Sequence, residues 1–275
     1  MKEFTYQDYL PNEQLKTLVR ESAEDYRSAL PFAHGVYDDV FSPEVLNAVL
    51  EEFERGQKYW REFNSKYEKK FQMSSDLSMG PVTRTFIHTL NSAPFLEFLE
   101  QLTGIQGLIP DPYLHGAGLH KIPAGGKLGV HVDFNGHRRM NVYRRINVLI
   151  YLNKDWLEEW GGNFELWCAR EKVCKKSIAP IFNRMAIFST TAKSFHGHPH
   201  PLSCPEDRHR VSLALYYYTA GERGEQKKDL HSTIFLRADG KQEELSRQPK
   251  GLVARIRRAL VNRLVSNNEQ AKHAG

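Results

Sequence analysis

The stretch Gly129-Val130-His131-Val132-Asp133-Phe134-Asn135 sets an imidazole and a carboxylate two residues apart, with apolar residues beside and between them. Two residues is the repeat of a β-strand, so His131 and Asp133 share one face while Val130, Val132 and Phe134 share the other. A polar pair aimed into a core must be satisfied by a hydrogen bond, a charge or a metal. A third ligand for a metal has to come from a distant segment, and Ser194-Phe195-His196-Gly197-His198-Pro199 offers one. Two neutral imidazoles and one carboxylate on one side of an ion form the facial triad of non-haem Fe(II), which leaves the other positions open. A structural zinc site instead closes its fourth position with another Cys or His. His196 is the preferred third ligand. His198 shares its strand parity and His200 lies close by, so both stand as competitors.

Arg210-Val211-Ser212-Leu213-Ala214-Leu215-Tyr216 reads as a strand with Arg210 and Ser212 on one face. A guanidinium is a planar fork that matches a carboxylate bidentately, and the Ser212 hydroxyl adds a donor. Each charge-assisted bond contributes roughly 1.5–3 kcal/mol, enough for such a clamp to anchor a dicarboxylate. Arg208 is a weaker alternative, having no hydroxyl at the matching offset. Between the two motifs, Gly136–Arg145 carries Arg138, Arg139, Arg144 and Arg145. An anionic substrate is one explanation for this basic segment and a solvated loop is the other. Arg145 has the parity of Asn147 and Tyr151, and Asn135 follows the ligand strand. Asn135, Arg145 and His198 are therefore the expected substrate contacts.

Elements able to hold these residues are legible. Ser42-Pro43 marks a helix start, followed by Val45, Leu46, Val49, Leu50 and Phe53 on one stripe. Ser92-Ala93-Pro94 opens a second helix carrying Phe95, Leu96, Leu99 and Leu102, with Gly104 as its stop. From about residue 112 the rhythm changes to short strands near 115–122, 128–134, 145–152, 163–168, 185–190 and 210–218. Evenly spaced short strands predict a sandwich or jelly roll rather than βαβ units. The expected layout is a single domain over 1–240, with a helical layer in 1–110 and a jelly-roll core in 112–220. A basic amphipathic helix and polar tail over 241–275 follow, with a membrane surface, the helix's own domain or a second subunit (a homodimer) as the surfaces it would cover.

The chain has 275 residues, 40% of them hydrophobic and 26% charged, ordinary for a globular protein. No apolar run is long enough to span a bilayer. Three cysteines, unevenly placed, supply no disulfide framework, which points to a reducing cytoplasm. A net charge of +5 with no nucleic-acid-binding motif gives no reason to expect a nucleic acid partner.

In order, "HVD", "RRINVLIYLNKDW", "GGNFELW", "FST", "SFHGHP" and "RVSLALYYY" resemble the 2-oxoglutarate/Fe(II) dioxygenases of the prolyl 4-hydroxylase type over roughly residues 112–220. The resemblance implies a mainly β fold, a double-stranded β-helix (cupin-like jelly roll) buttressed by N-terminal helices. It implies Fe(II) on His131, Asp133 and His196, and 2-oxoglutarate on Arg210, Ser212 and Tyr151. Asn147 shares the strand face of Tyr151 and would reach the same cavity, while Phe164 would form its apolar wall. The implied activity is hydroxylation with release of succinate and CO2, O2 as cosubstrate and ascorbate as a reductant. Because Asp133 is present, no ligand position is vacated for a halide. The substrate is a small molecule, a sugar or peptidyl proline. Two departures stand out: a fourteen-residue step from His196 to Arg210, lengthened by Ser203–Asp207, and a long basic segment after Asp133. The rival readings are a cupin-type metalloenzyme that does not use 2-oxoglutarate, and a non-catalytic jelly roll stacking carbohydrate on Tyr216, Tyr217 and Tyr218.

Overall fold

Helix-forming stripes near the N-terminus and alternating strands beyond residue 112 separate into layers in a computed structural model that describes residues 3–55, 59–221, 230–236 and 241–244. The N-terminal part runs α1 (Tyr6–Tyr9), α2 (Asn12–Ser28), β1 (His34–Asp38), α3 (Pro43–Arg55), β2 (Arg61–Asn64), β3 (Lys69–Met73), α4 (Pro81–Leu90) and α5 (Ala93–Thr103). Strands β4 (Ile109–Pro110), β5 (Gly118–Pro123), β6 (Leu128–Val132), β7 (Gly136–His137), β8 (Val142–Tyr151), β9 (Phe164–Cys168) and β10 (Val173–Ile178) follow. The described chain closes with β11 (Arg184–Ser189), β12 (Ser194–His198), β13 (His209–Thr219), β14 (Ile234–Leu236) and β15 (Gln242–Glu244).

Two antiparallel sheets face each other. The larger is ordered β1-β11-β8-β13-β5-β3-β2, with β4 beside β13 and β7 beside β8; the smaller is ordered β10-β9-β12-β6-β14-β15. The non-sequential strand orders and helical backing are those of a double-stranded β-helix jelly roll, within what the strand pattern predicted and as the family resemblance implied. Strand alternation divides the core. Ile146, Val148 and Ile150 of β8 and Leu213, Leu215 and Tyr217 of β13 belong to the cluster shared with the stripes of α3 to α5. Tyr151 of the opposite face packs with Phe164, Leu166 and Phe188 between the sheets. The Tyr217 hydroxyl donates to the Leu90 carbonyl at 2.8 Å, tying β13 to the end of α4.

The predicted helix starts hold, and Gly104 stops α5 in the left-handed region at φ 77°. The N-terminal third is more mixed than expected, because β1, β2 and β3 lie within it and join the large sheet. Lys69-Lys70-Phe71-Gln72-Met73 carries charge at its start, which hides a strand from pattern reading. Strand β10, exposed except at Ile178, is likewise a lysine-bearing edge. The chain divides into two units, Met1–Glu244 and Leu245–Gly275. The second lies outside the described residues, and with it most of the expected C-terminal helix and tail. Among the described residues no helix is long and apolar enough to cross a membrane.

Glu52 of α3 satisfies the start of α4: its carboxylate accepts the Val82 N–H at 3.0 Å, the Thr83 N–H at 2.8 Å and the Thr83 hydroxyl at 2.6 Å. Glu52→Ala is expected to cost about 2–3 kcal/mol in urea unfolding, with Glu52→Gln recovering part of it. Equal stability of all three proteins would contradict this anchoring role.

Candidate active site

Strands β6 and β12 lie side by side in the smaller sheet, and His196 sits directly opposite His131. The ring centroids are 4.4 Å apart. Asp133, one residue beyond β6, completes a group whose ligand atoms all lie within 4.8 Å of one another. His131 Nε2 is 3.6 Å from Asp133 Oδ1, and His196 Nε2 is 3.4 Å from Oδ2. Each ring uses Nδ1–H on a backbone carbonyl, Gly129 for His131 and Ser194 for His196, both at 2.8 Å. That fixes the tautomer and leaves both Nε2 lone pairs aimed at the same point.

His198 stands apart. The pairing of β12 with β6 slips between His196 and His198, so that His198 faces Leu128 rather than Gly129. Gly197 permits this close approach, since a Cβ there would lie 2.8 Å from the carbonyl oxygens of Leu128 and Gly129. The slip places His198 outside the three-residue group, and His200 is exposed beyond the strand.

Asp133 is held from behind. Arg144 Nη2 lies 3.0 Å from Oδ2, and the Asn147 amide donates to the same oxygen at 2.7 Å. Arg144 Nε also donates to Asn147 Oδ1 at 2.7 Å, and its guanidinium lies over the Tyr216 ring at 3.3 Å. Burial alone would push the Asp133 carboxyl pKa up, but Arg144 and then His196 and His131 hold it well below the carboxylate range. Asn147, expected on the cosubstrate, lines the cavity but has both ends of its amide engaged on this pair.

Strand parity singled out Arg145 for the cavity, and the structure corrects this. Tyr217 pairs with Ile146 and Tyr218 with Arg144, so Arg145 is an extra residue in a bulge. One inserted residue reverses parity beyond it. Arg144 therefore turns inward, while Arg145 donates to the Thr219 hydroxyl at 3.3 Å and is absent from the cavity wall. The expected arginine cluster is dispersed. Only Arg138 and Arg139 of the four are exposed, and Arg139 lies 3.8 Å over the ring of Tyr113. Asn135 is likewise absent from the cavity wall; its side chain accepts the His231 N–H at 2.8 Å.

A cavity of about 80 Å³ continues from the triad between the sheets, lined by Tyr151, Arg210, Ser212 and His198 among others. One water needs roughly 10–15 Å³ on this measure, so a molecule of several heavy atoms fits. Arg210 is buried, with Nε donating to the Gly162 carbonyl at 2.7 Å and Nη2 to the Tyr151 hydroxyl at 3.4 Å. Gly162, at φ 74°, suits glycine, and a Cβ there would sit 2.5 Å from Leu202 Cδ2 and 3.0 Å from Arg210 Cδ. Among the described residues no carboxylate pairs with Arg210, so a fully buried cation faces the cavity without a counter-charge. Such a cation calls for an anionic ligand. Arg208 lies instead over Trp160 and donates to the Lys154 carbonyl. Lys70 and His120, also on the cavity wall, come from the N-terminal strands' side of the sheet and carried no motif to announce them.

The walls near the triad are aromatic. Phe164 and Phe188 pack on His196 at 5.6 and 4.6 Å, and Phe235 of β14 packs on His131 at 5.2 Å. Tyr216, Tyr217 and Tyr218 are all buried, which removes the exposed aromatic platform that a carbohydrate-stacking module required.

Residues 117–218 match the family model of the 2OG-Fe(II) oxygenase superfamily. The chain is 26% identical over 217 residues to prolyl 3-hydroxylase OGFOD1 of Mus musculus, an alignment spanning 73% of this chain and 37% of that protein. It thus spans well under half the length of that curated relative. In structure it is similar to a Trichoplax adhaerens prolyl hydroxylase solved with a hypoxia inducible factor oxygen degradation domain peptide fragment. That match has a TM-score of 0.52 and 19% identity, covering 79% of this chain and 94% of the other. A prolyl 4-hydroxylase from Phytophthora capsici matches with a TM-score of 0.55 and 20% identity, over 80% of this chain and 68% of the other. The matched segment is thus similar to the 2OG-Fe(II) oxygenase superfamily, and its fold is the one seen in these prolyl hydroxylase structures. Its donor set fits that family's two cofactors, two neutral imidazoles and a carboxylate for Fe(II) and an acid-free buried arginine for the dicarboxylate 2-oxoglutarate.

Neutral histidines on the cavity wall make the metal-free protein sensitive to acid. Burial first, then Lys70, pushes His120 from 6.5 down to about 3; burial first, then His131, pushes His196 down to about 4. In the unfolded chain both titrate near the ordinary value, so the unfolded state takes up protons first as pH falls. Their contribution to stability is therefore complete above about pH 6.5 and is lost progressively towards about pH 4 for His196 and about pH 3 for His120, with Asp133 adding to the loss at lower pH. Urea midpoints of metal-free protein should fall across that window, and His120→Leu should flatten the slope. Midpoints indifferent to pH there would contradict the buried neutral state.

Proposed function

We propose that this protein is a 2-oxoglutarate-dependent dioxygenase that hydroxylates its substrate with release of succinate and CO2. The observation that carries the reading is the juxtaposition of the His131–Asp133–His196 group with Arg210, a buried cation in the same cavity that has no acid partner among the described residues. A metalloenzyme of this fold that did without a keto acid would have no use for that cation.

In this reading His131, His196 and Asp133 would hold the metal. Asp133 Oδ2 is already committed to Arg144 and Asn147, which leaves Oδ1 as the freer carboxylate oxygen. Bound together, Fe(II) and 2-oxoglutarate supply the oxidising chemistry, coupling decarboxylation of the keto acid to hydroxylation of a C–H bond. Arg210, the Tyr151 hydroxyl and Ser212 anchor the distal carboxylate and so set the direction in which the keto acid lies. Phe164, Phe188 and Leu149 keep water from that pocket. The likeness to prolyl hydroxylases supports a peptidyl prolyl residue as the first substrate to test, ahead of small molecules and sugars.

The test is succinate formation by the full-length protein with Fe(II), 2-oxoglutarate and O2 against a panel of proline-containing peptides, read alongside a mass gain of one oxygen atom on the peptide. Turnover is expected with at least one peptide. Arg210→Ala should raise the 2-oxoglutarate KM by roughly 10- to 100-fold. Absence of both succinate and the visible absorption band on anaerobic addition of 2-oxoglutarate to the Fe(II) protein would overturn the assignment.

A further inference from the structure

Among the described residues, His198 is the one imidazole on the cavity wall with neither ring nitrogen hydrogen-bonded. Its Nδ1 and Nε2 are both buried and both lack a hydrogen-bond partner among the described residues. His131 and His196 each anchor Nδ1 on a backbone carbonyl, and His120 Nε2 contacts the Gly116 carbonyl at 3.2 Å. His198 lacks the anchored nitrogen that marks the two metal-facing rings, and the slip in the β12–β6 pairing separates it from them. It lines the same cavity as Arg210, Tyr151 and Ser212. A buried ring with one N–H and one lone pair, both unpaired, is costly unless a ligand meets it.

We propose that His198 is a further cosubstrate-binding residue, whose N–H donates to the distal carboxylate of 2-oxoglutarate beside Arg210, Tyr151 and Ser212. This rests on the dioxygenase reading above. A carboxylate presents about four lone-pair sites. With Arg210 Nε spent on the Gly162 carbonyl and Nη2 on the Tyr151 hydroxyl, one remaining guanidinium donor and two hydroxyls would take three of them and leave one for His198. Each existing contact approaches from β8 or β13 of the large sheet. His198 approaches from β12 of the facing sheet, so the carboxylate would be gripped from both sides and the keto acid's tail held against rotation. The arrangement makes His198 a discriminator for the distal carboxylate rather than for the keto-acid head, which the metal chelates.

Calorimetric titration of the Mn(II)-loaded full-length protein tests this without turnover. The ligands are 2-oxoglutarate and 2-oxopentanoate, which keeps the keto-acid head but lacks the distal carboxylate. His198→Val should weaken 2-oxoglutarate binding roughly 10- to 100-fold. Affinities for Mn(II) and for 2-oxopentanoate should stay within about twofold, and His198→Gln, which restores an N–H donor, should recover part of the loss. Unchanged 2-oxoglutarate affinity in the valine variant overturns the proposal, as does an equal loss for both keto acids or a parallel loss of Mn(II). Absence of 2-oxoglutarate binding by the wild-type protein overturns the enzyme reading itself, and this proposal with it.

Discussion

A carboxylate buried between two imidazoles cannot keep its charge unaided, and the Arg144–Asp133 pair is what lets it do so. The guanidinium lies 3.0 Å from Oδ2, is almost fully buried, and is sandwiched towards the Tyr216 ring. Taking both charges out of water is expensive, and their mutual attraction offsets it only when the remaining donors and acceptors are satisfied. Asn147 meets part of that condition by bridging the two, giving to the carboxylate and taking from Arg144 Nε, while the guanidinium's outer edge is left to the Tyr216 ring. Because one carboxylate oxygen is spent inward, the other is left for whatever the imidazoles also face. The bulge in β8, which turns Arg144 inward, and the Tyr216 ring beneath its guanidinium both serve this one compensated charge.

Much of that arrangement was legible before any coordinates. The two-residue spacing of His131 and Asp133, and of Arg210 and Ser212, translated directly into shared faces, since both pairs lie in or beside regular strands. The apolar stripes of α3 and α5 were likewise readable, because their period is the helix's own. What failed did so for identifiable reasons. Parity reasoning assumes an unbroken ladder, and the extra residue at Arg145 inverted it, hiding Arg144 and offering its neighbour instead. A similar slip on β6 separated His198 from His196 in space although parity could not.

Strands β2, β3, β10, β14 and β15 escaped for a different reason. They are short or charged, and their place is fixed by pairing with a neighbour rather than by a pattern of their own. Lys70 and His120 show the cost for site prediction, since neither belongs to a motif and both reach the cavity only because the sheet carries them there. The rival of a carbohydrate platform failed similarly: three consecutive tyrosines suggest a surface, but β13 is central in its sheet and buries all of them.

Phe235 caps the His131 ring from a strand that lies beyond the segment shared with the superfamily. Its hairpin is latched by Glu243, which accepts from Tyr67 at 2.6 Å and pairs with Lys66 at 2.9 Å. Tyr67 in turn stacks on Phe235 at 4.4 Å. The recognisable stretch is therefore not a portable cassette: excised at its alignment limits and grafted elsewhere, it would carry the triad but leave the lid over one imidazole, and the latch that holds the lid shut, in the donor protein.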